Sequence, residues 1–580
     1  MTDKKNPQNY FLLVILAILF SSCSPQSNAT PISTQPVPLA SPTFDGPTST
    51  PGPVGLHIGI AVPASLRTQA QGWEVPANSY IAVDVLTSAT PSTAIQIPWV
   101  YALVAPFPTV TDGVSAEELK DAWLDGDIPD PFDGQPLLMD ESTRAAFTAL
   151  WGEPAADAVR IVAPDQLLET AWNELPSWAL VPFDSLEPKW KVLTVDGQSP
   201  IRKKFDQTTY PLVVPFALQT SADIQPSSLN LPPSNYDPNK LTTVIMTGVT
   251  ALVRVTALKM EMKGILYPGE TIRDTLREAD IAHVSNEIPF YSGCPFPNSD
   301  QTALNFCSDP KYIDLLLDVG TDVVELTGNH FADRGPKGMI ETINLYNANN
   351  LPYFGGGLDR SDSLKPALFE INGNKIAFVG CNRPDTGAFP TATDERPGAA
   401  PCEFETIHQT VADLKAQGFV VIATFQWSES YDPQPHELQI EDFQGMVDAG
   451  ADIVSGSQAH YSQIMEFYRN SFIHYGLGNL FFDQMGDQAW MPYGIRREFL
   501  DRYVIYDGKF ISTELITAML EDYSRPRWMT EQERAGFLQE YFYKSGWIPF
   551  SPTPTPTITP TLTPLSIPTL PGVSTATPAP

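Results

Sequence analysis

Between about residues 240 and 520, short apolar runs alternate with helix-patterned stretches, and this rhythm constrains the fold more than any other feature. The strand-like runs are Thr243-Val-Ile-Met, Ala282-His-Val-Ser, Val323-Val-Glu-Leu, Lys375-Ile-Ala-Phe-Val, Val420-Val-Ile-Ala-Thr-Phe and Asp452-Ile-Val-Ser. Between them fall helix patterns such as Ile313-Asp-Leu-Leu-Leu-Asp-Val, closed by Gly320, and Phe443-Gln-Gly-Met-Val-Asp-Ala, closed by Gly450. Such an order predicts an α/β layered fold on one or two sheets, with the loops that follow the strands as its functional edge.

A smaller α/β domain is expected before it, over roughly 55–225. It opens on the strand-like Leu56-His-Ile-Gly-Ile-Ala and contains a second long apolar run from Thr93. A helix follows from Ser115 to Gly126, with Glu117 and Glu118 in its first turn. Its order of elements resembles a reduced periplasmic solute-binding domain. Residues 521–550 read as a C-terminal extension.

Neither end of the chain has the composition of a core. Ser, Thr and Pro dominate residues 24–54 and again 551–580, where Pro552-Thr-Pro-Thr-Pro-Thr recurs; these ends are expected to be a disordered stalk and tail. Residues 1–23 read as a secretory signal, with Lys4 and Lys5 before the apolar run Tyr10 to Phe20 and then Ser21-Ser22-Cys23. That pattern resembles a bacterial lipoprotein signal, which implies lipid on Cys23 and an extracytoplasmic, membrane-anchored protein on the cell surface. Phe20 departs from the Leu usual three residues before such a Cys, and an uncleaved N-terminal anchor is the other reading.

The remaining cysteines, Cys294 with Cys307 and Cys381 with Cys402, are close enough within each pair to predict two local disulfides in an oxidising compartment. A Cys-only zinc site is the alternative, although the usual CxxC spacing is missing. With 67 acidic against 35 basic residues the formal charge is −32, which excludes an electrostatic footprint for nucleic acid.

Seven stretches then occur in a telling order: Gly248-Val-Thr-Ala-Leu-Val-Arg254, Asp280-Ile-Ala-His-Val-Ser-Asn-Glu287, Thr327-Gly-Asn-His-Phe-Ala-Asp333, Phe354-Gly-Gly-Gly357, Gln426-Trp-Ser-Glu-Ser-Tyr431, Gly450 to His460, and Tyr475-Gly-Leu-Gly-Asn-Leu-Phe-Phe-Asp483. Together they resemble the capsule-synthesis CapA family, linked to poly-γ-glutamate capsules. The resemblance implies a metallophosphoesterase-like layered sandwich. It also implies a partner in an envelope polymer or the capsule-synthesis machinery.

In that family's type of site, carboxylate, Asn and His ligands hold two cations that activate a bridging water. Carried over, the resemblance implies Glu287, Asn329, His330 and His460 as metal ligands, His330 and His460 as catalytic groups, and Arg254, Asn286, Glu287, Asn329 and Glu429 as binding residues. Three usual ligand positions depart from the pattern. Val249 has no donor atom, and Gln426 and Gln458 offer only weak amide oxygens. At most one weakly held divalent cation, manganese or zinc, is expected. Asn286 and Asn329 as turn caps, Glu287 and Glu429 as solvated carboxylates, and His460 as a hydrogen-bonded core histidine remain open readings.

No GxGxxG or GxxxxGK[ST] loop is present, and Gly456-Ser-Gln458 lacks the second Gly of a nucleophile elbow. Aromatic residues from Trp427 to Trp490 suit either a polymer groove or core packing. Two functions follow: a surface protein of capsule or envelope-polymer biosynthesis, export or anchoring with little turnover, or a metal-dependent hydrolase or transferase. The missing donors favour the first.

Overall fold

In the computed structural model, residues 54–132, 134–383, 390–486 and 493–548 are described. Cys23, the signal, nearly all of the stalk, the Thr/Pro tail and Trp490 lie outside them. Period-two alternation builds the centre of the fold. In the strand Leu241–Met246, Val244 and Met246 face one hydrophobic cluster while Ile245 faces another; in Val420–Gln426, Val420 and Ile422 oppose Val421, Ala423 and Phe425 in the same way. Strands apolar on both faces must be covered on both faces, and these are.

One sheet runs in the order Tyr353–Phe354, Val323–Glu325, Ile281–Asn286, Leu241–Met246, Arg497–Tyr506, Lys509–Glu521, Arg525–Trp528. Its first four strands are parallel and its last three antiparallel. The other runs Ala367–Ile371, Asn374–Asn382, Val420–Gln426, Ile453–Ser457, Ser471–His474, Met465–Tyr468, with four parallel strands at its centre. Their inner faces meet through Val244, Ile281, Phe354, Phe378, Ile422, Phe472 and Phe499. Four helices between Arg254 and Ala348 cover the outside of the first sheet. Phe404–Ala416 and Glu437–Ala449 cover the second. The result is an α/β/β/α sandwich of the layered class expected from the sequence.

The long hairpin of Arg497–Tyr506 and Lys509–Glu521 lacked a clear sequence signal, yet it supplies two of the sheet's three antiparallel strands. Residues 525–544, read as an extension, add a further strand and a helix, Glu531–Lys544, whose Phe537, Leu538, Tyr541 and Phe542 are buried in the inter-sheet core. Thr530 and Glu533 close a capping box at that helix's start.

The preceding segment forms its own sheet around the buried strand Ile95–Pro106, flanked by Val213–Thr220 and Ala179–Pro182. Ser115 caps the helix Ala116–Leu124 through a box with Glu118. This lobe packs directly on the sandwich, where the Phe107 ring meets Phe467 at 5.1 Å and Trp172 meets Trp547 at 6.1 Å between centroids. The described residues after Pro53 accordingly make one compact unit. Among them no helix is long and apolar enough to cross a membrane. Cys294 is bonded to Cys307 and Cys381 to Cys402.

Candidate functional site

Because four neighbouring strands of each sheet run parallel, their carboxyl ends fall along one edge, and the loops leaving them converge there. Ile281–Asn286 delivers Glu287. Val323–Glu325 leads to Asn329 and His330, and Val420–Gln426 ends on Gln426. Ile453–Ser457 leads to Gln458 and His460. Two glycines allow the loops to touch: a Cβ on Gly328 would stand 2.2 Å from the Glu287 carbonyl oxygen, and one on Gly248 would stand 2.2 Å from that of Gly478. Gln458 and His460 themselves take positive φ, 78° and 51°, an unusual conformation for side chains of their size.

The buried end of the cleft is set by His460. Its Nδ1 lies 2.8 Å from Asn479 Oδ1, while the Asn479 amide donates to Gln484 Oε1 (3.0 Å) and the His460 carbonyl (3.3 Å). That network assigns Asn479 Oδ1 as acceptor and His460 Nδ1 as N–H, so in the neutral ring Nε2 is an acceptor. It faces another acceptor, Glu287 Oε1, at 3.9 Å. Phe482 stacks on the imidazole at 4.8 Å. Val249 is buried with Ala251, Val253, Ile288, Phe306 and Phe482 in an apolar cluster.

At the cleft's outer part, Gln426 Nε2 donates to Asn329 Oδ1 at 3.3 Å. A hollow of about 80 Å³ opens beside them, lined also by Asn382, Arg383, Trp427, Glu429 and Gln458. Glu429 accepts the Tyr431 hydroxyl. His330 Nδ1 lies 2.8 Å from Asp333 Oδ2. Burial alone would lower the His330 pKa, but the Asp333 hydrogen bond and the charges of Glu287, Asp333 and Glu429 outweigh it and raise it.

Three buried oxygens at the cleft have no hydrogen-bond partner among the described residues: Glu287 Oε1, Gln426 Oε1 and Gln458 Oε1. Unpartnered buried acceptors cost about 1–3 kcal/mol each, so the cleft is short of donors. Beneath it a second polar pair lies between the sheets, His283 Nε2 at 3.2 Å from Glu325 Oε2, with Thr327 Oγ1 donating to the same carboxylate.

The structure thus brings Glu287, Asn329, His330, Gln426, Glu429, Gln458 and His460 to one edge. Asn286 lies apart, its amide donating to the Tyr346 hydroxyl and the Ile288 carbonyl. Arg254 is paired with Asp483, its guanidinium lying over the Phe306 and Phe482 rings. Asn382 and Asn479 were not singled out from sequence. Asn382 ends a strand in the same way as Gln426, and Asn479 sits inside a recognised motif, so the strand-end rule and the motif both pointed at them. Among the described residues no group of three or more His, Cys, Asp or Glu is placed to hold a metal ion.

Residues 243–484 match the family model described as bacterial capsule synthesis protein PGA_cap. The chain is 26% identical over 250 residues to the PGA biosynthesis protein CapA of Bacillus subtilis (strain 168), covering 42% of this chain and 65% of that protein. It is 27% identical over 271 residues to the capsule biosynthesis protein CapA of Bacillus anthracis, covering 41% and 64%. The chain therefore spans just under two thirds of these relatives' length. Haemophilus influenzae NAD nucleotidase superposes at 11% identity over 52% of this chain and 56% of that one, with a TM-score of 0.30, too loosely to carry an argument about the site.

Proposed function

This chain belongs, through residues 243–484, to the bacterial capsule synthesis protein family, and on that premise we propose that it is an accessory protein of capsule or poly-γ-glutamate synthesis. In this reading it holds an amide-bearing envelope polymer, for export or anchoring, with little turnover. The observation that carries the reading is the donor deficit of the cleft. Among the described residues Glu287 Oε1, Gln426 Oε1 and Gln458 Oε1 are buried acceptors without partners, and the 3.9 Å between Glu287 and His460 Nε2 is too long for a direct hydrogen bond but suits one shared donor. A polyamide offers N–H groups at regular intervals and would satisfy them.

The same residues do not fit a two-metal centre. Val249 presents a methyl-bearing side chain inside an apolar cluster where a ligand is usual, and Gln426 and Gln458 present neutral amides. We therefore route no chemical step through a metal. The extracytoplasmic location and the lipid anchor at Cys23 belong to this proposal as well.

The test is metal content and turnover of the purified protein, beside its binding of poly-γ-glutamate. Less than one manganese or zinc per chain, saturable polymer binding and no phosphoester hydrolysis are expected. Changing Val249→Asp, Gln426→His and Gln458→His together should raise the metal content toward two per chain. An unmodified protein that carries two metals and hydrolyses a phosphoester would overturn the binding reading in favour of a metal-dependent hydrolase or transferase.

A further inference from the structure

A cavity of about 270 Å³ lies away from the cleft, where the N-terminal lobe meets the strand Lys509–Glu521 and the helix Glu531–Lys544. One part of its wall is apolar, with Phe107, Leu538 and Phe542. The other is charged, with Lys191, Arg202 and Arg534 against Asp112 and Glu514. Three lining cations stand against two lining carboxylates, on a chain whose formal charge is −32, and Arg502 behind the lining adds a fourth cation on Glu514.

Both carboxylates are already engaged. Asp112 takes Lys191 Nζ at 2.8 Å and the Arg534 fork at 2.8 and 3.1 Å. Glu514 takes Arg202 at 2.7 Å and Arg502 at 3.2 Å. Lys191 is also spent, donating to the Thr109 and Val110 carbonyls at 2.7 and 3.0 Å. What remains is a set of donors. Among the described residues Arg202 Nε and Arg534 Nη1 have no partner, and neither do the hydroxyls of Thr513 and Thr517, residues 1% and 4% exposed that line the cavity. Leaving such groups unpaired is costly.

We propose that this inter-lobe cavity binds a small organic monoanion, a carboxylate carrying an apolar portion. Its oxygens accept from Arg202, Arg534, Thr513 and Thr517, and its carbon chain lies toward Phe107, Leu538 and Phe542. Asp112 and Glu514 oppose a dianion, and an inorganic ion leaves the apolar wall unused. Because the lining comes from both lobes, occupancy ties them together.

Calorimetric titration of the full chain with hexanoate, hexanamide and inorganic phosphate tests this. Hexanoate should saturate at one per chain, hexanamide should bind at least about tenfold more weakly, and phosphate should not compete. Thr513→Val and Thr517→Val remove hydroxyls that have no partner, so they should leave the melting temperature level or raised while weakening hexanoate by roughly threefold or more each. Arg202→Gln should weaken it further, since Glu514 keeps Arg502. Absence of saturable hexanoate binding overturns the proposal, as does hexanamide or phosphate binding as tightly, or unchanged affinity in the doubly valine-substituted protein.

Discussion

His460 Nε2 and Glu287 Oε1 face each other across 3.9 Å, both side chains buried, while Asn479 holds the opposite nitrogen of the ring at 2.8 Å. The Asn479 contact fixes the ring's orientation, and the Glu287 gap defines a place for one donor.

Replacing Glu287→Gln puts an amide N–H opposite His460 Nε2 and removes an unpartnered carboxylate oxygen. The empty protein should be stabilised by about 1 kcal/mol, read as an upward shift in melting temperature, while binding of poly-γ-glutamate should fall by about tenfold or more. A destabilised protein that keeps its affinity would refute the shared-donor assignment.

The His330–Asp333 pair makes stability depend on pH with a definite sign. The folded pKa of His330 is raised, so its stabilisation is complete below the unfolded value near 6.5 and is lost as pH rises through the folded pKa. Asp333→Asn removes the largest of the raising contributions. Imidazole NMR titration should then show His330 titrating at lower pH than in the parent, and the loss of stability as pH rises past about 6.5 should flatten.

Glu533 carries the opposite sign. Its hydrogen bonds from Arg527 hold it down to about 2 against the opposing effect of burial, helped by the Thr530 N–H of the helix cap. Its stabilisation is present above the unfolded value of about 4.5 and is lost as pH falls toward about 2, by at most about 3 kcal/mol. Denaturant melts from pH 6 to pH 2 (roughly that span) should show this loss in the parent and much less of it in Glu533→Gln, which starts from lower stability.

The two disulfides close loops of 13 and 21 residues, worth about 3 kcal/mol each on the chain-entropy estimate. Cys381→Ala with Cys402→Ala should lower stability by that order. Thiol titration of the unreduced, denatured protein should find these four cysteines blocked, and four reactive thiols would remove the assignment.

Membrane attachment is tested separately at Cys23. If lipid on that residue is the anchor, Cys23→Ala should release the protein from membranes during fractionation. Retention would assign attachment to an uncleaved apolar segment.

Read alone, the sequence determined the alternation of strands and helices, the ends lacking a core composition, the pairing of neighbouring cysteines and the set of loops that carry the site. These are local matters: apolar periodicity, Gly and Pro at turns, and short spacings are written within a few residues of one another. It did not reveal that Arg497–Glu521 completes the first sheet, because a hairpin whose strands are buried among long-range partners shows little periodicity of its own. Nor could it show that Asn286 turns to Tyr346 while Glu287, its neighbour, faces His460. Successive residues leaving a strand point to opposite sides, and only the packed sheets decide which side is the cleft. The cavity between the lobes lies furthest from what sequence can express, since Arg202, Thr513 and Arg534 become neighbours only when two separately patterned segments dock.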